Sequence, residues 1–328
     1  MNGVQKVIKY CAMAFAIFLA VTILGTIVSV VMGVTTGIAG VNFLMEGEKE
    51  RIGLSEEYSL EEARELGITD ILVDCNAEIV IKPGTVLAIE AENVTEDYKI
   101  RQINGKFSIE QNRPQIKIGF WFNDTSEREK VTVTVPAELV TEQVEILSGS
   151  GAVSVNEIKT EAFTVDSGSG RVTVEAVTAG RLYVDSGSGK VTLSGAKASE
   201  TELYTGSGGV TVEDSDLGRL ILDTGSGAVR MENVAATAAK VDTGSGAVSF
   251  EGVLTGTCEF ETGSGALTIR LDGREEDYRV KAKCGSGTFR INGKKKDEGS
   301  YGSNVKGELL IDSGSGSVNV EFNTPVEE

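Results

Sequence analysis

Val165-Asp-Ser-Gly-Ser-Gly-Arg-Val-Thr-Val174 is followed nineteen residues later by Val184-Asp-Ser-Gly-Ser-Gly-Lys-Val-Thr-Leu193. The shared tetrapeptide [Ser/Thr/Cys]-Gly-Ser-Gly opens at residues 148, 167, 186, 205, 224, 243, 262, 284 and 313. Each copy is called below by its opening residue, so that coil 167 begins at Ser167. Six successive intervals are 19 residues; the last two lengthen to 22 and 29. Counted from the opening residue as zero, position −2 is apolar in every copy, from Ile146 to Ile311. Positions +5 and +7 are apolar as well, from Val153 and Val155 to Val318 and Val320. Apolar residues at alternate positions mark strands with one buried face. Each copy therefore reads as strand, turn, strand, with a short third segment around Val177 or Val234.

One such unit cannot bury its apolar face alone, so the copies must stack. The fold class is all-β: a single-chain, β-helix-like solenoid of about nine 19-residue coils. At about 4.8 Å per level its length is on the order of 40 Å. The paired turn glycines are Gly149 and Gly151, Gly168 and Gly170, Gly187 and Gly189, Gly206 and Gly208, Gly225 and Gly227. Gly244 and Gly246, Gly263 and Gly265, Gly285 and Gly287, and Gly314 and Gly316 complete the set. They are expected to allow a corner at positive φ. Open edges at the two ends of such a stack invite aggregation, so both need caps.

The chain before the repeats divides by composition. Residues 1–9 carry Lys6 and Lys9, and Cys11 to Val34 is almost wholly apolar. This predicts a membrane-spanning helix over 10–34 behind a short cytoplasmic tail, too long for the core of a cleaved signal peptide. Positive charge before the span, with Glu46, Glu48 and Glu50 after it, places the N-terminus inside and the bulk outside. Residues 35–68 read as a juxtamembrane linker with a short helix at 60–66, since Ser59 and Glu62 have capping-box spacing. Residues 69–136 form a less regular β section that begins and caps the solenoid, and residues 137–328 are the repeats. Insertions at 271–281 and 293–306 are expected to protrude as hairpins or loops.

The opening Ile71-Leu-Val-Asp-Cys-Asn-Ala-Glu-Ile-Val-Ile-Lys-Pro-Gly84 resembles that of a bacterial adhesin-like family with β-strand repeats, a domain of unknown function also called Toastrack. Val131-Thr-Val-Thr-Val-Pro136 and Val144-Glu-Ile-Leu-Ser-Gly-Ser-Gly151 are similar to its middle, and the repeated Asp-Ser-Gly-Ser-Gly-x-Val-x-Val to its body. The resemblance covers about residues 69–322. It implies a membrane-tethered β-repeat protein, in some relatives beside envelope-stress regulators, and brings no agreed catalytic residues.

Composition narrows the chemistry. Histidine is absent, which removes imidazole bases, His-based triads and the common zinc sites. Beyond the two lysines of the tail, 29 basic residues face 49 acidic ones, a net −20 that disfavours nucleic acid. The sharpest chemical feature is position −1, where Asp166, Asp185, Asp223, Asp242, Glu261 and Asp312 align and Leu147, Tyr204 and Lys283 interrupt them. Carboxylates stacked about 4.8 Å apart repel by about 1 kcal/mol even in water, so something must offset them. They read as caps on their own turns, or alternatively as ligands of a calcium ladder. A polysaccharide-cleaving site is a third reading, set against the fact that these acids are the repeat rather than a break in it.

The unbroken serines at +2 (Ser150 to Ser315) have no base and are expected to satisfy turn backbone, and the Ser/Thr at position zero to bond between coils. Trp121, on the strand face opposite Phe120 and Phe122, and the basic loop run Lys294, Lys295 and Lys296 are contact candidates. Cys258 at −4 and Cys284 at zero share no column, so no disulfide is indicated. The expected function is a non-catalytic, cell-surface, adhesin-like module contacting wall polymer or a surface protein, with no catalytic residue and no cofactor beyond the calcium alternative. Envelope-stress sensing through a membrane partner is the alternative.

Overall fold

Each repeat forms a long strand before its turn and a short strand after it, as in Lys159–Ser167 and Val172–Glu175. The structure, a computed structural model, describes residues 50–112, 128–303 and 306–323. The long strand pairs in parallel with Thr178–Ser186 and the short one with Val191–Ser194, residue i facing residue i+19. The solenoid reading holds at this level. Positions −4, −2, +5 and +7 are buried in every coil, and position +10 is buried from coil 148 to coil 224. Position −4 supplies Phe163, Leu182, Leu220, Cys258 and Leu309, and position +10 supplies Ile158, Val177, Ala196 and Val234. Each buried Val, Leu or Phe contributes about 1.5–3 kcal/mol, and the columns run through the stack without a polar break apart from hydroxyls.

The reason for the glycines differs from the expectation. None of the Gly-Ser-Gly glycines has positive φ. The left-handed residue sits instead at position +9, where Glu157, Ala176, Gly195, Asp214 and Asn233 have φ between 50° and 61°. The turn glycines are dictated by the coil beneath. A Cβ on Gly227 would lie 1.8 Å from the carbonyl oxygen of Gly208, and one on Gly170 would lie 1.9 Å from that of Gly151. Stacking at the turn brings backbone against backbone and leaves no room for a side chain.

Turn hydrogen bonding also departs from the expectation. Amides of Gly187 and Ser188 donate to the carbonyls of Ser167 and Gly168 one coil down. The position-zero hydroxyl stays within its own turn: Ser186 Oγ donates to Gly189 O at 3.2 Å, and Gly246 N donates to Thr243 Oγ1 at 3.0 Å. The +2 serines Ser169 and Ser188 are exposed. Inter-coil bonding therefore belongs to the turn backbone, not to the Ser/Thr column.

Consecutive stacking fails at both ends. Tyr278–Cys284 does not pair with coil 262; it pairs with Gly307–Ser313, which in turn pairs with Val248–Thr262. The short strands agree, with Val318–Asn323 lying between Leu267–Asp272 and Phe289–Ile291. Coil 313 is thus inserted between coils 262 and 284, and coil 284 is the outermost level. The other end mirrors this. Asp70–Asp74 lies between Thr141–Ser148 and Lys106–Gln111, and Glu78–Gly84 between Val153–Asn156 and Lys130–Pro136. The level that comes second in the chain is outermost in space.

Antiparallel strands then cover each outermost level. At the N-terminal end Leu87–Val94 pairs with Lys130–Pro136, Ile52–Tyr58 with Leu87–Val94, and Tyr98–Ile103 with Lys106–Gln111. Residues 52–58, read as linker, are therefore a cap strand. The helix is Leu60–Glu65, and both halves of the Ser59–Glu62 capping box form. At the C-terminal end Lys294–Lys296 pairs with Phe289–Ile291 and Gly299–Gly302 with Tyr278–Cys284. Within the second insertion, Lys294–Lys296 closes a hairpin on Phe289–Ile291 and Gly299–Gly302 lies back along Tyr278–Cys284, satisfying backbone groups that would otherwise stand open. The expected tail at 1–9, the expected span at 10–34 and Trp121 lie outside the described residues. Among the described residues no helix is long and apolar enough to cross a membrane.

Candidate functional site

The long strands bury −4 and −2, so −5, −3 and −1 face outward and form parallel columns on one sheet face. In space the −1 column runs Leu147, Asp166, Asp185, Tyr204, Asp223, Asp242, Glu261, Asp312, Lys283. The exchange of the last two coils matters here. Consecutive stacking would set Lys283 between Glu261 and Asp312. The observed order extends the carboxylate run to four adjacent levels and leaves Lys283 at its end.

Neither reading of these acids is seen in the turns. Turn amides are taken by the coil beneath and by the position-zero hydroxyl, so the carboxylates are not turn caps. Among the described residues no three acidic or thiol side chains converge closely enough to hold a metal ion. Asp185 has its pKa raised, chiefly by burial and then by Asp166, while the Tyr183 hydroxyl acts in the opposite direction. Tyr204 interrupts the acids, and its ring lies 5.6 Å from that of Tyr183 in the neighbouring −3 column.

In two other outward columns, opposite charges pair between levels. In the −5 column Glu200 is 3.4 Å from Arg181 and 3.0 Å from Arg219. In the +8 column Arg270 is 2.9 Å from Glu321 and 3.9 Å from Glu251, which again requires coil 313 to follow coil 262. Like charges also meet at Asp166 and Asp185 and at Glu213 and Glu232, but the run from Asp223 to Asp312 is the longest in the −1 column.

At the end of that run lies a cleft of about 700 Å³. Glu259, Glu261 and Asp312 line one side, Lys281 and Lys283 the other, with Leu310 between them and Glu298 and Ser300 on the covering strand side. Lys281 Nζ is drawn to Glu308 at 2.8 Å, and Glu298 accepts a hydrogen bond from the Cys284 amide at 3.0 Å. Both interactions leave Lys283, in register with Asp312, as the cation at the end of the acid run. Lys294–Lys296, expected as a loop, is a strand, and Lys296 Nζ stands 5.1 Å from the centre of the Tyr301 ring. Cleft and basic strand are both at the C-terminal cap, but the lysines of the run do not line the cleft.

The arrangement holds charge rather than activating a nucleophile. Cys75, Cys258 and Cys284 are buried, and burial pushes the thiols of Cys258 and Cys284 up, away from the reactive thiolate. Cys75 and Cys284 occupy position zero in their levels, in place of Ser or Thr. Sequence reading missed Leu310, Lys281 and Glu298 and the Glu261–Asp312 adjacency. The 29-residue interval between coils 284 and 313 was the available signal, because it contains the strands that cover coil 284.

No protein with a curated description matches the chain. Among solved structures, a candidate adhesin of Parabacteroides distasonis is similar at 12% identity, covering 84% of this chain and 98% of that one with a TM-score of 0.49. A candidate lipid-binding protein of the same species is similar at 15% identity, with 83% and 96% covered and a TM-score of 0.48. A candidate adhesin of Parabacteroides merdae is similar at 11% identity, with 84% and 97% covered and a TM-score of 0.43. The family described as Toastrack DUF4097 matches twice, over residues 68–220 and 210–324. Those two stretches take in the stacked coils from end to end, and the chain belongs to the Toastrack DUF4097 family.

Proposed function

We propose that the protein is a non-catalytic interaction module of the cell surface, tethered by residues 10–34 and presenting its outward strand face to wall polymer or a surface protein. The observation that carries this reading is the outward −1 column, four like charges held in register by a hydrogen-bonded frame. Maintaining that alignment costs electrostatic repulsion at every level, and a solenoid is suited to hold an extended rigid surface against a partner. The tether and its orientation rest on the apolar stretch Cys11–Val34 and the charges flanking it.

The test is a full-length chain expressed in a bacterial host that does not adhere on its own. Protease added to intact cells is expected to cleave the solenoid from the surface. Adherence to isolated cell envelopes is expected to exceed that of empty cells severalfold. Substituting Asp223, Asp242, Glu261 and Asp312 with Asn should return adherence towards the empty-cell value. Protection from external protease, or adherence no greater than that of empty cells, contradicts the proposal.

A further inference from the structure

We propose that the C-terminal cleft binds a zwitterionic ligand, taking its ammonium group on the Glu261–Asp312 pair and its anionic group on Lys283. This deepens the reading of the outward face as the binding face and rests on it.

The first support is the break in charge pairing. Glu200 sits between Arg181 and Arg219, and Arg270 between Glu251 and Glu321, so at these places neighbouring levels supply each other's counter-charge. At the cleft two like charges meet before the counter-charge does. Threading coil 313 inside coil 284 places Asp312 beside Glu261 and moves Lys283 outward, when consecutive stacking would have alternated the signs. The result is two adjacent carboxylates, Glu261 and Asp312, with Lys283 on the next strand in register with Asp312, so the cleft has an acidic side and a basic side.

The second support is the availability of Lys283. Lys281 already lies 2.8 Å from Glu308, and the Glu298 carboxylate already accepts from the Cys284 amide. The third is the space itself. About 700 Å³ with an apolar patch at Leu310 between the charged sides suits a small organic ligand with a short aliphatic middle.

The register fixes the ligand's dimensions. Adjacent strands lie about 4.8 Å apart, so the midpoint of the Glu261–Asp312 pair is about 7 Å from the Lys283 level. An α-amino acid is too short to reach both. An ω-amino acid, or a polymer unit bearing an amine and a carboxylate or phosphate at that separation, reaches both ends.

The test uses purified full-length protein and calorimetric titration at low ionic strength, with 6-aminohexanoate as probe and hexylamine, hexanoate and glycine as controls. Saturable binding of 6-aminohexanoate is expected, at least tenfold tighter than any control. Lys283→Gln and Asp312→Asn should each weaken it at least tenfold, with unchanged melting temperatures, because both residues are exposed. Lys294→Gln, outside the cleft, should leave it unchanged. Equal binding of hexylamine with no dependence on Lys283 overturns the zwitterion assignment in favour of a simple cation site. No saturable binding of any probe overturns the site altogether. Neither outcome bears on surface display or adherence, so failure here is distinguishable from failure of the interaction-module reading.

Discussion

Gly227→Ala is expected to destabilise the solenoid by at least about 3 kcal/mol, at the severe end for a single methyl group. The added Cβ would stand 1.8 Å from Gly208 O and 2.9 Å from Thr224 Oγ1. The first is backbone that is itself held in the inter-coil ladder, so no flexible side chain can give way. Relief requires coil 224 to lift from coil 205, which opens hydrogen bonds such as Ser226 N to Gly206 O at 3.1 Å. Gly195→Asn is the contrasting change. Gly195 has φ +61°, a conformation Asn tolerates, and the nearest atom to a Cβ there is 3.6 Å away. Denaturant unfolding should place Gly195→Asn within about 0.5 kcal/mol of the parent. Similar losses for the two variants would mean that turn conformation, not close stacking, selects the repeat glycines.

Deleting residues 307–323 is expected to have the larger effect, and one that reaches backwards along the chain. The deletion removes the buried side chains Leu309, Ile311, Val318 and Val320, worth on the order of 6–12 kcal/mol at about 1.5–3 kcal/mol each. It also empties the level between coils 262 and 284, leaving Tyr278–Cys284 without its only parallel neighbour among the described residues. In a solenoid, stability is a sum over neighbouring levels, so the damage should stay local. Residues 263–302 should become susceptible to limited proteolysis while the coils from Ser148 to Thr243 remain resistant. A deletion that leaves 263–302 protected would contradict the exchanged order, because in a consecutive stack coil 313 would be a dispensable end piece.

The contrast between what was legible and what was not has a physical cause. A repeat writes its core into the sequence, so Val165, Val172 and Val174 and their equivalents could be placed inward from alternation alone. The helix start at Ser59 was equally plain, because a capping box is a local hydrogen-bond pattern. The glycines were located but misexplained. Positive φ is a local demand and the usual reason for glycine, whereas the clash at Gly170 with Gly151 O arises only once two coils meet. The residues at +9 that do carry positive φ vary from Glu157 to Asn233 and leave no consistent mark. The exchange of coils 284 and 313 was hidden for the same reason. Every level offers the same apolar columns and the same turn, so the pattern fixes what stacks but not in which order. Only the strands inside the long interval, which cover coil 284 and leave its other face for coil 313, decide it. The cleft follows from that order, and so lay beyond reach of a reading in which Lys283 merely interrupted a column.

The measurement that tests the exchanged order most directly is disulfide trapping between outward −1 positions. Glu261→Cys with Asp312→Cys places two thiols on adjacent paired residues, within the Cα separation of about 4.4–6.8 Å that a disulfide spans. Glu261→Cys with Lys283→Cys places them two levels apart, about 9.6 Å, which it does not span. Under mild oxidation of the folded protein, the exchanged order predicts rapid intramolecular closure of the first pair and none of the second. Closure of the Glu261–Lys283 pair with the Glu261–Asp312 pair left open would contradict it, and with it the charge separation on which the cleft depends.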